Sequence, residues 1–284
     1  MPGNCRAFSI LCRMSFVCYN GVFLPGDQPG LLASNCSYKW GDGLFETIKV
    51  YKRRILLQSF HFERLLTSIE LLQMQHHFTL QELESQILTL CVKNECADLG
   101  RVRLAVYRKE GNKAGYTIEA VRLDSQSMQW NEEGWKIDIY PYARKACDVW
   151  SNLKTANYLP YVMAARYAEE QKVNECLVLN SSNHICDASK ANVFIIKEGI
   201  LYTPALDQGC INGVIRRFLL SEAKKHGWVI KQTELTEEML LQADECFLTN
   251  AIQGIRWVHQ FRNKLYTSIQ TKQIFEAIQS DYLY

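Results

Sequence analysis

No C-x-x-C occurs in this sequence, and its cysteines and histidines never reach metal-ligand spacing, so no metal site is expected. No apolar run is long enough to span a bilayer. Arg6 and Arg13 bracket only six residues, too few for the apolar core of a secretory signal. Phosphate-loop lysine motifs, H-E-x-x-H pairs, heptads, internal repeats and low-complexity tracts are missing, and G-D-G at Gly41–Gly43 is not a dinucleotide fingerprint. A formal net charge of +2 gives no general attraction to nucleic acid or anionic membranes, so neither is expected as a partner. Local basic clusters at Lys52–Arg54 and Lys224-Lys225 read as solvated faces, and Arg216 stands apart from them because of its place in a helix start. What is present is the balance of a globular enzyme: 284 residues, 48% hydrophobic and 22% charged. The eleven cysteines are odd in number and scattered through apolar contexts such as those of Cys91, Cys176 and Cys246. That usage, with no leader, points to a reducing cytoplasm in which thiols pack as small hydrophobes.

The pattern along the chain is mixed α/β. Residues 1–13 read as a disordered extension, with the folded part starting near Met14. From Phe16 an apolar run turns at Asn20-Gly21, a hairpin signal, and a second hairpin spans Leu44–Leu57 with its turn at Lys52–Arg54. Helices fit His61–Met74 and Leu80–Asn94, and Arg101–Arg108 alternates as a strand. The polar stretch 124–134 reads as a linker between an N-terminal α+β domain (14–123) and a C-terminal α/β domain (135–284). In the second domain strands are expected at Trp135–Tyr142, Glu175–Leu179, Asn192–Ile196, Trp228–Gln232 and Glu245–Thr249. Helices are expected at Pro160–Gln171, Val214–His226 and Thr236–Leu241.

Three segments between Leu153 and Phe218 carry candidate chemistry. Lys154 lies in a polar loop ahead of the helix-starting Pro160. A lone lysine there is ordinarily a surface residue, but an imine-forming lysine needs a loop pinned as Asn157, Tyr158 and Pro160 would pin this one. Asp187, in D-A-S-K-A-N-V-F, is either a turn residue ahead of a strand or an anion able to hold a pyridine nitrogen protonated. Asn212-Gly213 reads as a capping Asn and a Gly turn before an amphipathic helix, whose first amides, at Val214 and Ile215, would face a phosphate. A lysine, a carboxylate before a strand and a helix start, in this order, are what a pyridoxal phosphate site requires. Arg64, in H-F-E-R-L, could grip the same phosphate bidentately, and His61 reads as structural.

Together with Y-N-G at Tyr19–Gly21, G-D-G-L-F-E-T-I at Gly41–Ile48, R-L-A-V-Y-R at Arg103–Arg108 and A-D-E-C-F-L-T-N-A-I at Ala243–Ile252, these segments resemble the class IV (fold type IV) pyridoxal phosphate enzymes. That family holds branched-chain and D-amino acid aminotransferases and 4-amino-4-deoxychorismate lyases, and the resemblance runs from Tyr19 to Val258. It implies two α/β domains, pyridoxal 5′-phosphate in the cleft between them, a small-molecule amino substrate and a homodimer. Carried over, Lys154 is the imine lysine and Asp187 the pyridine-nitrogen partner. Arg64, Val214 and Ile215 hold the phosphate, with Asn250 and Ala251 closing over it. Arg103 binds a substrate carboxylate, and Tyr158 lies near the cofactor ring. Two departures stand out: the family usually has Glu where Asp187 stands, and Thr where Ile215 stands. T-P-A-L-D-Q-G-C-I-N-G-V-I-R and L-T-N-A-I-Q-G-I are closest to the lyase versions of these loops. The resemblance therefore implies a lyase that gives 4-aminobenzoate and pyruvate for folate synthesis. The alternatives are a branched-chain or D-amino acid aminotransferase using 2-oxoglutarate and a non-catalytic cofactor-binding protein.

Overall fold

Strand-period and helix-period stretches build two sheets in the computed structural model, which describes residues 16–28 and 32–283. Expectations for 1–13 and Met14 lie outside the described residues. The first sheet holds β1 (Phe16–Tyr19), β2 (Val22–Pro25), β3 (Gly43–Tyr51), β4 (Arg54–Ile55), β5 (Leu99–Arg108) and β6 (Ala114–Arg122) in the order β2-β1-β6-β5-β3-β4. All its neighbours are antiparallel. Asn20 and Gly21 both take positive φ (48° and 87°), the conformation a two-residue hairpin turn requires. Helices α1 (Cys36–Trp40), α2 (Gln58–Leu71) and α3 (Leu80–Lys93) belong to this half. One sheet face, with Leu44, Ile48, Val102, Leu104 and Ile118, packs on Phe62, Leu65 and Ile69 of α2 and on Leu83, Ile87 and Leu90 of α3. The residues between them on β3 and β5, Phe45, Thr47, Arg101 and Arg103, line a cavity on the opposite face.

The second sheet holds β7 (Trp135–Lys145), β8 (Glu175–Asn180), β9 (Ile185–Ala188), β10 (Asn192–Lys197), β11 (Ile200–Pro204), β12 (Ile230–Thr233), β13 (Glu245–Asn250), β14 (Gly254–Phe261) and β15 (Lys264–Leu265). Its order is β12-β11-β10-β13-β14-β7-β8-β9, with β15 on β14. The pairs β11–β12, β14–β7 and β7–β8 are parallel and the rest antiparallel. Helices α4 (Leu159–Glu170), α5 (Val214–His226), α6 (Glu237–Gln242) and α7 (Ile269–Leu283) complete it. Between the sheets, residues 124–134 carry one short 3-10 turn at Ser125–Met128. Several details differ from the sequence expectation. Helix α2 starts three residues early, at Gln58, because Leu57 takes a left-handed conformation after the β4 turn. Strands β6, β9, β11 and β14 emerge where no strand was expected. Arg216, set apart from the solvated basic clusters in the sequence, is buried and ties α5 to its neighbours, donating to Pro204 O (2.9 Å) and Gln232 Oε1 (2.7 Å).

Candidate active site

The Lys154 loop is laced to its surroundings through the backbone. Phe45 N donates to Lys154 O (2.9 Å) and Ala156 N to Gly43 O (2.8 Å), so the loop lies along the start of β3. On its other side Asn152 Nδ2 donates to the carbonyls of Leu206 (2.8 Å) and Cys210 (2.7 Å). The Lys154 ammonium sits 4.5 Å from the Phe45 ring centroid and 5.4 Å from that of Tyr158. Among the described residues no carboxylate lies within ion-pair distance of it. Burial, with the Arg64 and Arg103 charges, lowers its pKa to about 7, against the opposing pull of Glu46 and Asp187. An amine at that pKa is half deprotonated near neutrality, which is the state that attacks a carbonyl carbon.

Asp187 is a strand residue, on β9, not a turn residue ahead of β10. It is 1% exposed and its carboxylate is gripped from several sides. Oδ2 accepts from Tyr161 Oη (2.7 Å), Ile211 N (2.9 Å) and Lys145 Nζ (3.2 Å), while Oδ1 accepts from Asn192 Nδ2 (2.8 Å). Tyr161 stays a phenol and a donor, because burial and the Asp187 charge raise its pKa far above the usual value. Oδ1 has a single donor, so it keeps room for a second. Sequence reasoning missed Tyr161, Asn192 and Lys145. Asn192 had a readable signal, since a polar side chain opens the continuous apolar run V-F-I-I of β10, which is buried on both faces.

Helix α5 begins at Val214 as expected, but its cap is Gly213 and not Asn212, and no side chain caps it. Asn212 is spent on the backbone: its N–H goes to Asn152 O (3.1 Å) and its carbonyl accepts from Arg64 Nη1 (3.0 Å). Gly213 is required because a Cβ there would collide with Asn192 Oδ1. The first amides of α5 are thus left without a side-chain partner where Gly213, Val214 and Ile215 line the cavity. Such a helix start favours an anion through its N–H groups and its dipole. Gly213→Ala should displace Asn192, the donor to Asp187 Oδ1, and cost about 1–3 kcal/mol of stability. A denaturant midpoint equal to the parent's would show that the crowding is relieved without cost.

Arg64, in the second turn of α2, is buried. Its Nε and Nη2 donate to Glu46 Oε1 (2.7 Å) and Oε2 (2.5 Å), and His61 Nδ1 lies 2.7 Å from Oε2. Three of the five guanidinium N–H groups are used, which leaves two for a ligand in the cavity that Arg64 also lines. Burial pushes the Glu46 carboxyl up, but the charges and hydrogen bonds of Arg64 and His61 outweigh it and hold the pKa at about 2. Tyr158 stacks on Tyr161 with centroids 4.4 Å apart and meets Phe45 edge-on at 5.2 Å. Asn250 folds onto its own turn, Oδ1 accepting from Ile252 N (3.0 Å) and Gln253 N (2.8 Å), and Ala251 lies beside it. Lys154, Asp187, Arg64, Arg103, Tyr158, Val214, Ile215, Asn250 and Ala251 all line one cavity of about 1260 Å³ between the two sheets.

The profile of the amino-transferase class IV family matches residues 43–261. The aminodeoxychorismate lyase of Bacillus subtilis (strain 168) is 28% identical over 247 residues, covering 83% of each chain. The D-alanine aminotransferase of Listeria monocytogenes (strain 10403S) is 27% identical over 225 residues, 75% of this chain and 76% of that one. Among solved structures, the branched-chain aminotransferase of the thermophilic archaeon Thermoproteus uzoniensis with norvaline has a TM-score of 0.85 at 23% identity, covering 94% of this chain and 94% of that chain. Among the described residues no helix is long and apolar enough to cross a membrane. The chain therefore belongs to the class IV aminotransferase family of pyridoxal-phosphate-dependent enzymes.

Proposed function

We propose that this protein is a pyridoxal-phosphate-dependent 4-amino-4-deoxychorismate lyase, releasing 4-aminobenzoate and pyruvate for folate synthesis. The observation that carries the reading is one cavity holding a lysine amine with no ion-pair partner among the described residues, a buried aspartate and an uncapped helix start. These residues fit the cofactor: Lys154 for its aldehyde carbon, Asp187 Oδ1 for its ring nitrogen, Arg64 with the Val214 and Ile215 amides for its phosphate. Bound there, the cofactor supplies an electron sink for the carbon next to the substrate amine. Lys154, once free of the cofactor, moves protons as base and then acid, its pKa near 7 suiting both directions. Tyr158 and Phe45 keep water from its amine, and Asp187 stays fixed by its four donors while charge shifts in front of it. Ile215 offers no hydroxyl, so the phosphate rests on amides and Arg64. The exposed apolar side chains of Leu32, Tyr38, Trp40, Val149 and Leu159 support a homodimer, which sedimentation would test.

The deciding experiment is to supply 4-amino-4-deoxychorismate without any 2-oxo acid. Release of 4-aminobenzoate and pyruvate supports the lyase. Turnover only with 2-oxoglutarate would make it an aminotransferase, the reading favoured by the D-alanine aminotransferase relative. Asp187→Asn should keep the cofactor on Lys154 yet lower turnover by on the order of 10²-fold, because the fixed charge is removed while the lysine and phosphate anchors stay. Parent-like kcat in that variant would return Asp187 to a purely structural role.

A further inference from the structure

Beyond Lys154 the cavity continues along β5, where Arg103 and then Arg101 line it. Alternate residues of a strand share a face, and at a rise of about 3.3 Å per residue these two Cα atoms lie about 6.6 Å apart. Across the sheet, Thr47 stands opposite Arg103 and Lys49 opposite Arg101. The Arg103 guanidinium sits 3.9 Å from the centroid of the Phe45 ring, which also carries the Lys154 ammonium at 4.5 Å. Outward from the reactive amine the order is therefore Lys154, Phe45, Arg103, Arg101.

Among the described residues, neither Arg101 nor Arg103 has an ion-pair or side-chain hydrogen-bond partner. Glu119, opposite Arg103 in register, acts on it through space but makes no ion pair with it. Lys49, buried behind the row, is held by Ser127 O (3.3 Å) and Met128 Sδ (3.2 Å) and by no carboxylate. Arg256 donates to the carbonyls of Gln129 (2.5 Å) and Gln126 (3.2 Å), fixing the wall of the cavity formed by residues 126–129. The acids that line the cavity near this wall, Asp124, Glu132 and Glu133, are exposed. Two guanidinium groups on one face, partly withdrawn from water and repelling each other, are stabilised when a ligand brings two negative charges to the same spacing.

We propose that Arg101 is a specificity-determining residue that receives a second substrate carboxylate, with the first on Arg103, so that the site selects two-carboxylate amino substrates over one-carboxylate ones. The inference rests on the reading that the substrate amine is delivered to Lys154, and it holds whether the reaction ends in elimination or in transfer. Glutarate and valerate are the probes: equal chains with two carboxylates and one, neither carrying an amine. Titrated into the holoenzyme by calorimetry, glutarate should bind about tenfold or more tighter than valerate. Arg101→Gln should abolish that preference through glutarate alone, with valerate unchanged, and Arg101→Lys should restore part of it. Cofactor absorbance reports in each variant that the site is intact. No preference in the parent, a preference that survives Arg101→Gln, or equal weakening of both ligands overturns the proposal. Failure of the protein to take up pyridoxal phosphate would instead overturn the proposed function, and the glutarate preference of the protein as isolated would still report on Arg101.

Discussion

Lys154→Ala should abolish turnover, by a factor on the order of 10⁴ or more, since the group lost is the one proposed both to anchor the cofactor and to move the proton. The fold should survive. The Lys154 backbone carbonyl, not its side chain, makes the bond to β3, and the ammonium lies over the Phe45 and Tyr158 rings without a hydrogen bond to any described residue. Stability should be unchanged or raised, because removing a buried amine that has no ion-pair partner among the described residues removes a desolvation cost. In the parent, borohydride should fix the cofactor on Lys154 and on no other lysine, and the Lys154→Ala protein should remain unlabelled. The pKa near 7 adds a pH signature. Capture of added cofactor by cofactor-free protein should be level above pH 7 and slow about tenfold per pH unit below it, following the free amine. A capture rate that keeps rising to pH 10 would mean that Lys154 is an ordinary solvated lysine, and label on another lysine would refute its role altogether.

How much of this was legible depended on whether a residue acts through local pattern or through what the fold brings to it. The α5 boundary was readable because Gly213 and the amphipathic run after it are contiguous, and Val214–His226 forms as expected. Lys154, Asp187 and the α5 start were readable as a set because they sit in sequence order around one cavity. What surrounds them was not. Asp187 is held by residues up to 42 positions away, such as Lys145, and Arg64 reaches Asn212 across 148. The cap moved from Asn212 to Gly213 for a similarly non-local reason, the approach of Asn192. Glu46 did leave a trace. In L-F-E-T-I-K-V, Leu44, Glu46, Ile48 and Val50 share the core face, so a carboxylate stands where the alternation calls for a hydrophobe. A charge in that position needs a buried partner, and the helix that follows supplies His61 and Arg64.

Glu46→Ala should therefore destabilise the protein by about 3–5 kcal/mol, the cost of leaving the Arg64 guanidinium and the His61 ring without their shared acceptor in the core. Glu46 is 2% exposed, His61 1% and Arg64 8%, so water cannot replace the lost carboxylate. The parent should show the same dependence on titration. Glu46, held near 2 instead of its ordinary value near 4.5, contributes stability that is complete above about 4.5 and is lost as pH falls through about 2. His61, whose pKa burial lowers, adds a loss in the same direction below its unfolded value of about 6.5. Denaturant midpoints should thus fall steadily between pH 6 and pH 2 in the parent, and the Glu46→Ala protein should lack the lower part of that decline. A paired substitution separates packing from function. Glu46→Leu with Arg64→Met removes both charges and should recover most of the lost stability, since an apolar pair of similar volume can replace a buried ion pair. It should not recover cofactor binding, because the two guanidinium N–H groups proposed to hold the phosphate go with Arg64. Full cofactor affinity in the paired variant would mean that the α5 amides hold the phosphate alone, and that Arg64 serves only to neutralise Glu46.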